Sequence, residues 1–323
     1  MSLPVFDVYM PTSLQDAASF LAKHPQTKIL AGGTDLVPSL KQRLFEPSYL
    51  LDLKSIPEIK GIHDLPDGGL RIGALTTITE LAENPVVAKH FPVLQQAAET
   101  VAGPNLRNVG TLGGNICLDT RCYWYNQSYF WRQSCGFCLK KDGTLCHVAP
   151  GSKQCWAVYS GDTAAALMVL NAVLKLVSDA GERVLPVADF FVNDGLIRNR
   201  MKPGEILAEV IIPGEVRDYL GAYEKYRIRG SVDYPLAGVA VAMNRTNSHV
   251  GDLRIALTAV NPLPVLLKDP LSLFASSEEL QKLASRTAKP LKTSASTMEH
   301  RRHMIGVLLK RSLHKLSDLE SSW

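Results

Sequence analysis

Short apolar runs alternate with amphipathic stretches along the first two thirds of the chain, and longer apolar runs follow. Leu14, Ala17, Ala18, Phe20 and Leu21 recur at helical spacing behind Pro11-Thr12-Ser13, which predicts a helix with Ser13 as its N-cap. Lys28 to Leu30 reads as a short strand running into the pair Gly32-Gly33, after which Thr34 or Asp35 can cap a helix. Tyr49 to Leu53 and Leu70 to Gly73 are apolar enough for strands, and Thr76-Thr77 turns the chain into a short helix through Leu81. Val93 to Val101 predicts another helix, which Gly103-Pro104 ends. Asp162 caps an apolar helix that passes through Asn171-Ala172 into the strand VLKLV, and Glu205 to Pro213 alternates as a strand. The runs AYEKY, VAVAM and DLRIALTAV predict a second sheet, and Leu271 to Leu316 predicts helix with Lys and Arg on its polar faces. The pattern is α+β, divided near Pro213 to Arg217 into segments 1–216 and 217–323.

Composition changes this picture little. With 323 residues, 46% hydrophobic and 20% charged, the chain can bury a full core in about two domains. A net charge of +4 is too small for a dedicated nucleic-acid binder, and the basic residues Lys289, Lys292, Arg301, Arg302, His303, Lys310 and Arg311 read as solvated helix faces. No signal peptide and no apolar run long enough for a membrane span is recognisable, so the expected location is the cytoplasm.

The distribution of cysteine changes it a great deal. All six cysteines, Cys117, Cys122, Cys135, Cys138, Cys146 and Cys155, fall in one stretch, interleaved with Trp124, Trp131, Trp156, Tyr123, Tyr125, Tyr129 and Phe130. Cysteine used merely as a small hydrophobe would be scattered. Pooled in a reducing compartment, it points to a metal or redox group rather than to disulfides. By spacing alone, structural zinc on Cys135, Cys138 and two of Cys146, His147 and Cys155 competes evenly with an iron–sulfur cluster.

Two glycine pairs flank this stretch or precede it. Gly32-Gly33 and Gly113-Gly114 belong to neither a GxGxxG nor a GxxxxGK[ST] element. Each follows a predicted strand or turn and has a threonine beside it, Thr34 and Thr111. Glycine lets backbone N–H groups close on an anion, so both turns suit a diphosphate.

AGGTDL, IGALTTITEL, VAGPNLRNVGTLGGNIC and SGDTAAALMVLNA resemble the FAD-binding medium subunit of the xanthine oxidase / molybdenum hydroxylase family, as do GEILAEVIIP and YEKYRIRGSVDYPLAGVAVAM. The resemblance implies a two-part FAD-binding domain over 1–216 and a smaller α+β C-terminal domain over 217–323. It implies pyrophosphate contacts from Ile29, Leu30, Ala31, Gly32, Gly33, Thr34, Asp35 and Leu36, and a second phosphate-side loop of Thr111, Leu112, Gly113, Gly114 and Asn115. Val101, Asp162, Leu207 and Lys225 occupy the family's other FAD positions, and Tyr123 is a further candidate.

Insert-free members join the two FAD segments by a short linker, whereas here residues 117–158 intervene. The stretches TRCYWYNQS, CLKKDGTLCH and CWAVYSGD resemble the cluster loop of 4-hydroxybenzoyl-CoA reductase medium subunits. That resemblance implies a [4Fe–4S] cluster on Cys122, Cys138, Cys146 and Cys155, leaving Cys117 and Cys135 over. It further implies a large molybdenum–pterin subunit, a small [2Fe–2S] subunit and an external low-potential carrier such as ferredoxin. Two other functions stay open: a flavin subunit of a molybdenum hydroxylase with a zinc loop, and a lone flavin oxidase. The latter branch ties FAD covalently through His or Cys in its phosphate loops, and neither glycine turn here contains His.

Overall fold

The computed structural model describes residues 2–246, 249–294 and 296–318. Three sheets organise it. Strands β1 (Asp7–Tyr9), β2 (Thr27–Leu30) and β3 (Tyr49–Asp52) form a parallel sheet in the order β1-β3-β2. Five antiparallel strands follow: β4 (Ile62–Asp64), β5 (Leu70–Gly73), β6 (Val173–Ser178), β7 (Gly181–Pro186) and β8 (Ile206–Ile212), in the order β4-β5-β8-β6-β7. The third sheet is antiparallel, β12-β11-β10-β9, from β9 (Leu220–Tyr226), β10 (Ala237–Thr246), β11 (His249–Thr258) and β12 (Val265–Leu266).

The expected helix at Leu14–Lys23 forms, and the Ser13 hydroxyl accepts from the Asp16 N–H at 3.1 Å. Thr77 and Glu80 close a reciprocal capping box on helix Ile78–Glu83. Helix Pro92–Thr100 lies close to its expected position. The C-terminal helical region is two helices, Ser277–Thr287 and Met298–Asp318, because Pro290 and the chain around it cannot continue a helix.

Strand β10 shows how the cores divide. Ala237, Val239, Val241 and Met243 face the two C-terminal helices, while Ala240 and Ala242 face the central core. Period-two alternation thus makes one sheet the wall between two cores. On the central side the small residues let helices Pro92–Thr100 and Thr163–Val169 pack against the sheet. Arg301, expected on a solvated face, is instead buried, donating to the carbonyls of Leu236 and Leu291 and to the Thr293 hydroxyl. Burial without a carboxylate partner lowers its pKa to about 10. No helix among the described residues is long and apolar enough to cross a membrane.

Candidate cofactor and thiol sites

The first glycine turn is built by strand β2 ending on open backbone. Gly33 adopts a φ of 72°, which a side-chain-bearing residue rarely takes. A Cβ on Gly32 would stand 2.1 Å from the Val109 carbonyl oxygen. The first turn therefore presses directly on the loop that leads into the second glycine pair. Among the described residues, the backbone N–H groups of Gly32, Gly33, Thr34 and Asp35 donate to no group of the chain. Four consecutive unspent donors, two of them on glycine, are what an anionic diphosphate needs.

The second turn has fewer donors to offer. Four of its five N–H groups are spent inside the protein: Leu112 donates to the Thr76 carbonyl, Gly113 to that of Ala74, Asn115 to that of Thr111, and Gly114 to the Thr111 hydroxyl. A Cβ on Gly113 would lie 2.8 Å from that of Ala74, so close packing explains this glycine. Among the described residues the Thr111 N–H donates to no group of the chain. Asn115 is also occupied, since its side-chain oxygen accepts from the Thr163 N–H at 3.1 Å and hydroxyl at 2.7 Å.

That bond displaces an expected cap. Asp162 stands at the N-cap of helix Thr163–Val169, but Asn115 performs the capping. The Asp162 carboxylate instead accepts from the Tyr223 hydroxyl at 2.8 Å and the Lys225 ammonium at 3.0 Å, both buried. Lys225 donates also to the Thr100 carbonyl at 2.9 Å. Burial lowers the Lys225 pKa against the opposing pull of Asp162, and burial first, then Asp162, drives that of Tyr223 far up. Asp35 likewise heads helix Leu36–Lys41 without capping it. Its carboxylate pairs with Arg121 and accepts from the Tyr234 hydroxyl at 3.0 Å, and Arg121 stacks on the Tyr234 ring at 3.8 Å. Position in sequence places a residue at a cap; a stronger charged partner decides where its side chain goes. Arg121 and Tyr234 were not anticipated, and nothing in the local pattern around either signals this contact.

Val101 is half-buried against the central core, and Leu207 is buried within it on β8. Tyr123 is about half exposed; its N–H donates to the Thr293 carbonyl at 2.8 Å, and its ring meets Trp124 and Trp131 edge-on.

The cysteine-rich insert has one short helix, Tyr129–Ser134, and is otherwise held by side chains. Buried Arg132 donates to Asp142 and to the Arg43 carbonyl, each at 3.0 Å. Tyr125 donates to Asp119 at 2.9 Å, and Lys140 reaches Asp119 at 2.9 Å and the Thr120 hydroxyl at 2.8 Å. Leu44 and Phe45, just past the first glycine turn and its helix, pack on the insert.

Four thiols converge within this frame. Cys122, Cys138, Cys146 and Cys155 are all buried and line one cavity of about 20 Å³ with Trp124, Tyr125, Lys140 and His147. Burial pushes the Cys122 thiol up to about 12 and that of Cys155 up to about 11. Cys138 sits on a tight knuckle, accepting from the N–H groups of Lys141 and Gly143. Cys135 ends the short helix outside the cavity, and Cys117 lies against Met201 at 3.8 Å. His147 is stacked on Trp124 and bonded to the Phe137 carbonyl. Among the described residues, no group of three or more His, Cys, Asp or Glu is arranged so that it could hold a metal ion.

The sequence family described as the FAD binding domain in molybdopterin dehydrogenase matches residues 4–215. The chain is an FAD-binding subunit of the molybdenum hydroxylase family. It is 33% identical over 261 residues to the aldehyde oxidoreductase FAD-binding subunit of Escherichia coli (strain K12), covering 77% of this chain and 79% of that one. To the xanthine dehydrogenase FAD-binding subunit of Escherichia coli O157:H7 it is 28% identical, covering 93% and 91%. The structure of carbon monoxide dehydrogenase from Hydrogenophaga pseudoflava superposes with a TM-score of 0.79 at 26% identity, covering 97% of this chain and 98% of that chain. Membership makes the chain an oxidoreductase subunit of α+β fold that binds FAD. The unspent donors of the first glycine turn and its tight approach to Val109 fit the diphosphate of that cofactor.

Proposed function

We propose that this flavin subunit also carries a [4Fe–4S] cluster and relays electrons within a 4-hydroxybenzoyl-CoA reductase-like complex. In such a complex, reductive removal of a phenolic hydroxyl from an aromatic CoA thioester takes place at molybdenum in a large partner subunit. A small [2Fe–2S] subunit and an external low-potential carrier such as ferredoxin complete the electron route, in the cytoplasm. The observation that carries the reading is the convergence of Cys122, Cys138, Cys146 and Cys155 on one cavity, in an insert tied to the first glycine turn by Arg121 and Asp35. A donor set of four thiols without a carboxylate suits iron–sulfur.

Within this reading the first turn, Ile29 to Leu36, holds the pyrophosphate, and Thr111 to Asn115 shape the wall behind it. Lys225 and Asp162 present a neutralised charge pair toward the flavin, Val101 and Leu207 form apolar walls, and Tyr123 spans the gap between insert and cofactor. Bound flavin would supply the exchange between one- and two-electron carriers, and the chain positions it and excludes water. On the proposed division at residue 216, the C-terminal segment contributes Lys225, bonded to Asp162, and Tyr234, bonded to Asp35.

A second reading is a flavin subunit oxidising an aldehyde or heterocycle, with structural zinc in the insert; the names of the relatives, which point to xanthine, aldehyde or carbon monoxide, support its substrate class and say nothing of the zinc. Anaerobic purification followed by iron, zinc, labile sulfide and flavin counts separates them. Four irons and one FAD per chain, lost in Cys122→Ser but kept in Cys135→Ser, are expected. Zinc without iron would overturn the cluster.

A further inference from the structure

The thiol cavity has one charged wall. Of all Lys, Arg, Asp and Glu residues described, only Lys140 lines it, and its side chain is 6% exposed. The ammonium lies 4.8 Å from the Tyr125 ring centroid and is fixed by Asp119 and Thr120. Asp119 is shared: Arg198 approaches the same carboxylate at 3.3 Å, and the half-buried Lys28 feels the field of all three groups. Asp194, half-exposed and accepting from the Cys155 and Leu196 N–H groups, is the other carboxylate nearby. Asp119 is thus divided between two cations, Lys140 and Arg198, and neither Asp119 nor Asp194 lines the cavity. A carboxylate shared in this way leaves the wall beside the thiols with an excess of positive charge, a field that favours an anionic group there.

We propose that Lys140 is the counter-charge of the group held by the four thiols, and that its field sets how readily that group accepts an electron. This rests on the cluster reading given above. An added electron makes a buried anionic group more negative, and a fixed cation at its wall stabilises that state more than the oxidised one. Lys140 raises the tendency to be reduced; Asp119 opposes it while holding the ammonium in place. The ammonium, over the Tyr125 ring and bonded to Asp119, Thr120 and the Gly195 carbonyl, is held out of water, where screening would erase the effect.

The test is an anaerobic redox titration of the intact full-length chain, with iron counted in every variant. Lys140→Met is expected to shift the one-electron equilibrium about tenfold toward the oxidised state, that is about 59 mV lower. Lys140→Arg should restore it to within about threefold, and Asp119→Asn should move it the opposite way. If Lys140→Met loses its iron, retention in Lys140→Arg still supports the counter-charge, and loss in both overturns it. Unchanged potential with full iron in Lys140→Met overturns the inference alone, as do Met and Asn variants that shift in the same direction. An iron-free wild type overturns the cluster reading and this inference with it.

Discussion

The glycine cradle and the cysteine insert sit side by side, yet they are held by different means. The cradle is backbone against backbone: Gly32 rests on the Val109 carbonyl, Gly113 on Ala74, and Ile78 donates to the Gly110 carbonyl at 2.8 Å. The insert is a loop nailed down by buried charges, Arg132, Lys140, Asp119 and Arg121. Backbone packing tolerates no added atom but is indifferent to pH. Charged anchors tolerate some change of shape but depend on the protonation and pairing of a few groups.

The sharpest way to break the cradle is Gly32→Ala. With a Cβ 2.1 Å from a backbone oxygen, the turn or the Val109 loop must move, at a cost of ~3 kcal/mol or more. Loss of bound-flavin absorbance, with the insert's iron content measured alongside, reads the effect. Iron retained in flavin-free protein would show that the two regions fold separately.

Arg132→Met tests the insert. It strips the Arg43 carbonyl and Asp142 of their donor, and because Asp142 is about a third exposed the expected loss is about 1–3 kcal/mol rather than that of a fully buried pair. Amide exchange should quicken between residues 119 and 158 while helix Pro92–Thr100 keeps its protection. Uniform quickening across the chain would contradict the division of labour.

Acid should show the smallest difference. Burial tends to raise the Asp119 pKa, but Lys140 and Arg198 outweigh it and hold the carboxylate below its ordinary value. A depressed folded pKa gives stability that is complete above the unfolded value near 4 and is lost as pH falls through the folded one. The insert is therefore expected to open below about pH 4 before the cradle does, seen as proteolytic cutting between residues 119 and 158. Cutting that begins in the glycine turns would reverse the comparison.

Much of this was legible in order along the chain. The Ser13 cap, the turn at Thr76-Thr77 into a short helix, and strands β5 and β8 follow from local periodicity and capping chemistry, which depend on neighbours a few residues away. The glycine pairs were recognisable as turns, and the cysteines as a single chemical concern. The partners of Gly113-Gly114 could not be read locally: the Gly113 N–H is taken by the Ala74 carbonyl, some forty residues earlier, and that of Gly114 by the Thr111 hydroxyl. Arg301 was misread because the carbonyls that bury it come from three separate segments.

Sequence by itself determined the elements, the family and which residue types could carry chemistry, because those depend on short-range pattern and composition. Only the tertiary structure decided where the polar side chains point. Asp35 and Asp162 leave their helix ends for Arg121, Tyr223 and Lys225, and Lys140, at the wall of the thiol cavity, goes to Asp119, Thr120 and the Gly195 carbonyl. A buried charge goes to the partner that best replaces water, and that partner is set by the fold, not by distance along the chain.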